Sequence, residues 1–214
     1  METIFEDIAR VGVVPVVEIP SAEYAIPLAD ALIAGGLPVI EVTFRTAAAA
    51  EAIRILAKER PQLIVGAGTI LDEATLKTAV EAGARFGVAP GLNPVTVKAA
   101  QESGLPFVPG IASASEIELG LSLGCKLLKF FPAEAAGGAK LLSAFSGPYR
   151  HTGVKFMPTG GVKLNNLADY ISLPTVAAAG GTWLAKAVDM ENGVWEEITE
   201  RCRVAAAKVA EIRK

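Results

Sequence analysis

The feature that most constrains this chain is an alternation kept up almost from end to end. Short apolar runs rich in Val, Ile and Phe are separated by longer segments whose apolar residues recur every three or four positions. The runs are Val13 to Val17, Val39 to Thr43, Leu63 to Val65, Phe86 to Ala89, Phe107 to Pro109, Leu127 to Phe131, Val154 to Pro158 and Val176 to Ala179. Between them the periodicity predicts helices over Ala22 to Ala34, Ala47 to Lys58, Asp72 to Glu81, Pro94 to Glu102, Ser115 to Leu123, Gly138 to Ala144 and Asn165 to Ile171, with a long closing helix over Val194 to Ile212. Glycines at Gly35-Gly36, Gly83, Gly104 and Gly124 stand where helices should end, and Ser21, Asp72, Asn93 and Ser115 where they should begin. Strands apolar on both faces and joined through helices form parallel sheets, and eight such units in 214 residues suit a single-domain (β/α)8 TIM barrel over residues 1–214 with helical segments at both ends. A doubly wound open sheet is the other arrangement this pattern allows.

Composition narrows the function. With 20 Lys+Arg against 23 Asp+Glu and a net charge of −3, the balance gives no ground for a basic face broad enough to neutralise a nucleic-acid backbone, so no nucleic-acid partner is expected, while a small anionic substrate stays open. One His and two distant cysteines, Cys125 and Cys202, give neither a disulfide framework nor the spacing of a transition-metal site, so a transition-metal centre is not expected, while a carboxylate-bound Mg²⁺ stays open. The start METIFEDIARVG lacks a basic head before an apolar run, and Gly, Pro, Thr or charge interrupts every apolar stretch short of membrane-spanning length. The expectation is a cytoplasmic protein without a membrane partner.

Two strands carry residues that barrel strands usually exclude. In K-L-L-K-F-F-P at 126–132, alternation puts Leu127, Lys129 and Phe131 on one face. Facing inward, Lys129 places an amine in an apolar lumen, where desolvation favours the free base that attacks carbonyls; facing outward, it is a lysine that snorkels to solvent. In V-I-E-V-T-F-R-T at 39–46, Glu41 shares an inward face with Thr43, and Arg45 lies beyond the strand end. That carboxylate either shuttles protons beside Lys129 or is a plain ion-pair partner, and Arg45 is placed to grip a substrate carboxylate. Glycine-containing turns follow the strands at Gly66-Ala67-Gly68-Thr69, Ala89-Pro90-Gly91 and Pro109-Gly110. Gly pairs at 160–161 and 180–181 follow the seventh and eighth, where barrels bind phosphate. Lys155, Trp183 and Trp195 read as structural residues, and His151 as a solvated loop residue.

These segments resemble a known family. V-V-P-V-V at 13–17, A-G-G at 34–36, E-V-T-F-R-T at 41–46, V-G-A-G-T at 65–69, A-P-G at 89–91, K-F-F-P-A-E at 129–134, P-T-G-G at 158–161 and G-G-T-W at 180–183 are similar, in order and over nearly the whole chain, to the 2-keto-3-deoxy-6-phosphogluconate (KDPG) and 4-hydroxy-2-oxoglutarate (KHG) aldolases. The resemblance implies a class I, metal-independent aldolase on a (β/α)8 fold, usually a homotrimer, that cleaves small 2-keto-4-hydroxy acids to pyruvate and an aldehyde. It makes Lys129 the Schiff-base lysine and Glu41 the proton-transfer residue. Arg45 and Thr69 match the carboxylate-holding positions, Pro90 and Phe131 shape the pocket, and Gly161, Gly181 and Thr182 match the phosphate-binding positions. Thr182 stands where serine is common, and Glu18 replaces an apolar or basic residue, adding a carboxylate near the mouth that should weaken binding of an anionic tail. A sugar-phosphate epimerase or isomerase, or a non-catalytic trimeric scaffold, are the competing readings of such a barrel.

Overall fold

The computed structural model describes residues 2–214. Among the described residues nine strands run β1 (Val13–Val17), β2 (Val39–Thr43), β3 (Ile64–Gly68), β4 (Phe86–Val88), β5 (Phe107–Val108), β6 (Gly110–Ile111), β7 (Leu127–Phe130), β8 (Lys155–Pro158) and β9 (Ala179–Gly181). All the pairings are parallel, in the orders β5-β4-β3-β2-β1-β9 and β6-β7-β8. Single bridges Phe156↔Val176 and Thr159↔Gly180 join β8 to the β9 side, and the continuous chain from β5 into β6 joins the other edge. β5 and β6 are one barrel strand broken at Pro109, which has no N–H to give a ladder. The fold is therefore the eight-unit TIM-barrel type, and the open-sheet alternative falls.

Helices α1 (Glu2–Val11), α2 (Ala25–Ala34), α3 (Ala49–Glu59), α4 (Glu73–Glu81), α5 (Pro94–Glu102), α6 (Ala114–Ser122), α7 (Ala133–Ala136), α8 (Gly138–Tyr149), α9 (Leu167–Ile171), α10 (Ala187–Glu191) and α11 (Trp195–Ile212) complete the chain. Two separate apolar cores result. The larger lies between sheet and helices; the smaller fills the lumen with Val14, Val39, Ile64, Phe86, Val108, Leu127 and Met157, and is stoppered at the strands' N-terminal end by Ile4 and Ile8 of α1.

Local chemistry explains most boundaries. Asp72 accepts a hydrogen bond from the Thr75 N–H at 2.7 Å, which holds its carboxyl below the usual carboxylate range, and Asn93 accepts from the Val95 N–H at 3.0 Å ahead of Pro94. The other two expected caps need correction. Ser21 precedes a 3-10 turn (Ala22–Tyr24) and makes no capping bond. The cap of α6 is Ser113 and not Ser115, because Ser113 accepts from the Glu116 N–H while the Glu116 carboxylate returns to the Ala112 N–H.

Two glycine stretches expected as turns are strand. Gly66–Gly68 ends β3, since a Cβ at Gly66 would lie 2.2 Å from the Phe86 ring and one at Gly68 2.2 Å from Glu41 Oε1: glycine makes room there for inward neighbours. Gly180 and Gly181 form β9 in register with Val14 and Pro15, so the last strand is shifted from the expected Val176 to Ala179, and Val176 keeps only its bridge. α8 runs on to Tyr149 through Pro148, and α7 and α10 are short helices the periodicity did not resolve.

Candidate active site

Lys129 and Glu41 meet inside the barrel. Lys129 comes from β7, where its register partners are Gly110 and Met157, and Glu41 comes from β2 between Val16 and Gly66. Lys129 is 5% exposed and Glu41 fully buried, and Lys129 Nζ donates to Glu41 Oε1 at 3.3 Å. The inward orientation is thus the observed one, and snorkelling is excluded. A glycine allows the Glu41 placement: Gly68 leaves space for its carboxylate. The ammonium end also lies 5.3 Å from the centre of the Phe131 ring.

Among the described residues, Glu41 Oε2 and Thr159 Oγ1 are buried polar atoms without a hydrogen-bond partner. A buried polar atom that nothing satisfies costs about 1–3 kcal/mol, so each of these two has acceptor capacity to offer a molecule that enters the lumen. In the P-T-G-G segment the glycines carry the visible signal, and Thr159 is marked only by its two-residue spacing from the inward Met157. Its hydroxyl occupies the space left by Gly180, whose Cβ would lie 2.3 Å away.

Around this pair the strand ends form a mouth. Thr43 Oγ1 donates to the Val17 carbonyl (3.1 Å) and accepts from Arg45 Nε (3.2 Å), so the arginine is fixed above Glu41's own strand. Arg45 also pairs with Glu18 at 3.0 Å, across side chains roughly half exposed. The carboxylate expected beside the substrate tail therefore engages the arginine expected to hold the opposite, carboxylate end. Thr69, immediately after β3, has φ +60°, a left-handed conformation few non-glycine residues adopt. Pro90 borders a 220 Å³ cavity with Ile70, Leu71, Leu92 and Phe107.

Gly160 and Gly161 have φ of +96° and +85°, and Thr182 is exposed just past β9. Gly181, a strand residue, is covered by the Trp183 ring, which fits the packing role read for that tryptophan; Trp195 likewise stacks near Tyr24, ring centres 6.2 Å apart. At the opposite end of the barrel a 410 Å³ cavity is lined by Ala9, Lys155, Pro174 and Arg213. Lys155 there ties down the Pro174 carbonyl at 2.8 Å, in keeping with its structural reading. His151 lies exposed in a 3-10 turn. Among the described residues no three His, Cys, Asp or Glu side chains gather as a metal-ligand set, and no helix is long and apolar enough to cross a membrane.

An amine nucleophile held against a carboxylate, with an arginine above and a glycine loop beside it, is equipped to form an imine with a ketone and move protons around it. Comparison with known proteins agrees. Residues 4–201 match the family of KDPG and KHG aldolases. The KHG/KDPG aldolase of Escherichia coli (strain K12) is 47% identical over 205 residues, 95% of each chain. The 2-dehydro-3-deoxy-phosphogluconate aldolase of Treponema pallidum (strain Nichols) is 48% identical over 199 residues, 93% of this chain and 94% of that one. Among solved structures, the KDPG aldolase from Legionella pneumophila, with pyruvate captured at low pH as a covalent carbinolamine intermediate, superposes with a TM-score of 0.91 at 41% identity, covering 96% of this chain and 99% of that one.

Proposed function

Since the chain belongs to the KDPG and KHG aldolase family, we propose that it is a class I aldolase whose nucleophile is Lys129. The observation that carries this reading is the buried Lys129–Glu41 pair, 3.3 Å apart at the C-terminal ends of barrel strands. Lys129 Nζ adds to the C2 ketone of a 2-keto-4-hydroxy acid. Loss of water from the carbinolamine gives a protonated imine. As a base removes the C4 hydroxyl proton, the C3–C4 bond breaks, its electrons pass into the imine, and an aldehyde leaves. The enamine is then protonated at C3, and water releases pyruvate and regenerates the amine. Glu41, within reach of Nζ, carries these protons. Arg45 and Thr69 hold the substrate carboxylate, and Phe131 and Pro90 form pocket walls. Gly161, Gly181 and Thr182 take a terminal phosphate.

The substrates on this reading are KDPG, giving pyruvate and glyceraldehyde 3-phosphate, and KHG, giving pyruvate and glyoxylate. No metal or cofactor enters. The whole chain acts as one domain. A homotrimeric, cytoplasmic enzyme is the accompanying assembly and location. Leu71 and Val95, each 57% exposed, offer apolar surface for assembly, and the two cysteines are free and buried.

Borohydride reduction in the presence of pyruvate tests the chemistry. Wild-type protein should gain a reduced pyruvate adduct that peptide mapping locates on Lys129, and Lys129→Ala should lose both the adduct and turnover while remaining folded. An adduct elsewhere, or aldol turnover without Lys129, ends the Schiff-base role of Lys129; no adduct and no aldol cleavage in the wild type would favour the isomerase or scaffold reading.

A further inference from the structure

The closing residue of the K-F-F-P-A-E segment, Glu134, takes no part in the chemistry above, yet it is bound to the loop on which the phosphate reading depends. The N–H groups of Ala133 and Glu134 donate to the carbonyls of Thr159 (2.8 Å) and Gly160 (3.0 Å). The Glu134 side chain then folds over Gly161 so closely that a Cβ there would lie 2.5 Å from Glu134 Cγ. Its carboxylate Oε1 accepts the hydroxyl of Tyr170, a fully buried residue of α9. From the next turn, Asn166 Nδ2 donates to the Gly161 carbonyl at 3.2 Å, while its own Oδ1 accepts from the Lys163 N–H at 2.7 Å. The loop's carbonyls are thus tied down on one side. Gly160 and Gly161 are two successive positive-φ residues; the bridge Thr159↔Gly180 turns the Gly160 N–H toward β9, whereas the Gly161 N–H makes no backbone hydrogen bond among the described residues.

This arrangement raises a problem of charge. Peptide N–H groups in such a concavity attract an anion, but a free carboxylate one side chain away repels it. Tyr170 resolves this. A buried hydroxyl requires an acceptor, and the one it has is Glu134, so the carboxylate is held toward the core while its methylenes support the loop. Burial first, then the Glu134 hydrogen bond, raises the Tyr170 phenol well above its ordinary range, so it remains a donor throughout the neutral range.

We propose that Glu134 and Tyr170 are a positioning pair that shapes the Gly160–Gly161 loop for a substrate's terminal phosphate and keeps Glu134's own charge out of it. The inference rests on the phosphate-loop reading above. The test compares KDPG with KHG, whose tail is shorter and carries no phosphate, using Tyr170→Phe, Glu134→Ala and the double variant Tyr170→Phe/Glu134→Gln, with Thr182→Val as the probe of the phosphate site itself. Tyr170→Phe keeps the ring and frees the carboxylate. It should raise KM for KDPG about tenfold, with kcat and the KM for KHG within about twofold of wild type. The double variant, with no charge to swing into the loop, should recover most of that loss. Should Tyr170→Phe fail to fold, Glu134→Ala, which removes the support beneath Gly161, is expected to show the same selective rise. Equal losses on both substrates, or no recovery in the double variant, overturn the pairing. If Thr182→Val is selective for KDPG and these variants are not, the pairing alone fails; if none is selective, the phosphate reading fails and this inference with it.

Discussion

Glu18 is the residue whose role the structure changes most. From its place past β1 it reads as an unattached charge near the substrate tail, whereas it is paired with Arg45, which Thr43 holds from the other side. Any carboxylate that uses Arg45 Nη2 must compete with Glu18. Exposed pairs of this kind are worth about 0.2–1 kcal/mol, so the competition is mild. Glu18→Gln should therefore lower KM for 2-oxo acid substrates by at most about fivefold at unchanged kcat, and added salt should narrow the difference, because salt screens the same pair in the wild type. Steady-state kinetics at two ionic strengths decide it; a higher KM would mean that Glu18 instead holds Arg45 in its working position. Lys129 and Glu41 were legible because a charged residue within an apolar strand stands out; alternation left Lys129 inward or outward, and the resemblance of the K-F-F-P-A-E and E-V-T-F-R-T segments chose the inward face. Thr159 and Glu134 were not, because their significance comes from a missing partner in one case and from Tyr170, 36 residues away, in the other.

At the level of elements, strand and helix order could be read from periodicity, and the errors gather where glycine and proline carry a second meaning. A glycine run after apolar residues ordinarily signals a turn. In this barrel the glycines of β3 and β9 remain in the ladder, because what they provide is interior space for Phe86, Glu41 and Thr159. Only the assembled barrel brings those side chains opposite. The consequence is sharp at Gly68, whose added Cβ would sit 2.2 Å from Glu41 Oε1 and 2.8 Å from its Cδ. Gly68→Ala must push the carboxylate aside, and a displacement near 1 Å in a reacting group costs on the order of 10²-fold in rate. The variant should lose about that much kcat, keep borohydride-trappable pyruvate on Lys129, and lose about 1–3 kcal/mol of stability from overpacking. Wild-type kcat in Gly68→Ala would mean that Glu41's placement is not critical to the rate.

Across the whole molecule, the two ends of the barrel do different work. The C-terminal ends of the strands carry the buried ion pair, unpartnered polar atoms and a strained Thr69. The N-terminal end carries the lumen core, capped by α1 through Ile4 and the fully buried Ile8. The alternation in the sequence suits a barrel, with an open sheet as its alternative, but carries no sign of this stopper, since a helix that precedes the first strand has no assigned neighbour until the barrel closes around the lumen it fills. Stability should then be adjustable from below without disturbing chemistry above. Ile8→Ala removes a fully buried side chain from a tightly packed core, a change that typically costs about 2–5 kcal/mol. For a domain of this size each kcal/mol lowers Tm by about 2–4 °C, so a fall of about 4–20 °C is expected in a thermal unfolding scan. At a temperature well below that lowered Tm, kcat and KM should stay within about twofold of wild type, because the Lys129–Glu41 pair sits on strands β7 and β2 beyond the first lumen layer and, among the described residues, makes no hydrogen bond to α1. A large loss of kcat in Ile8→Ala with Tm unchanged would contradict this division: the packing of α1 would then be transmitted along the strands to the Lys129–Glu41 geometry instead of ending in the apolar layer between them.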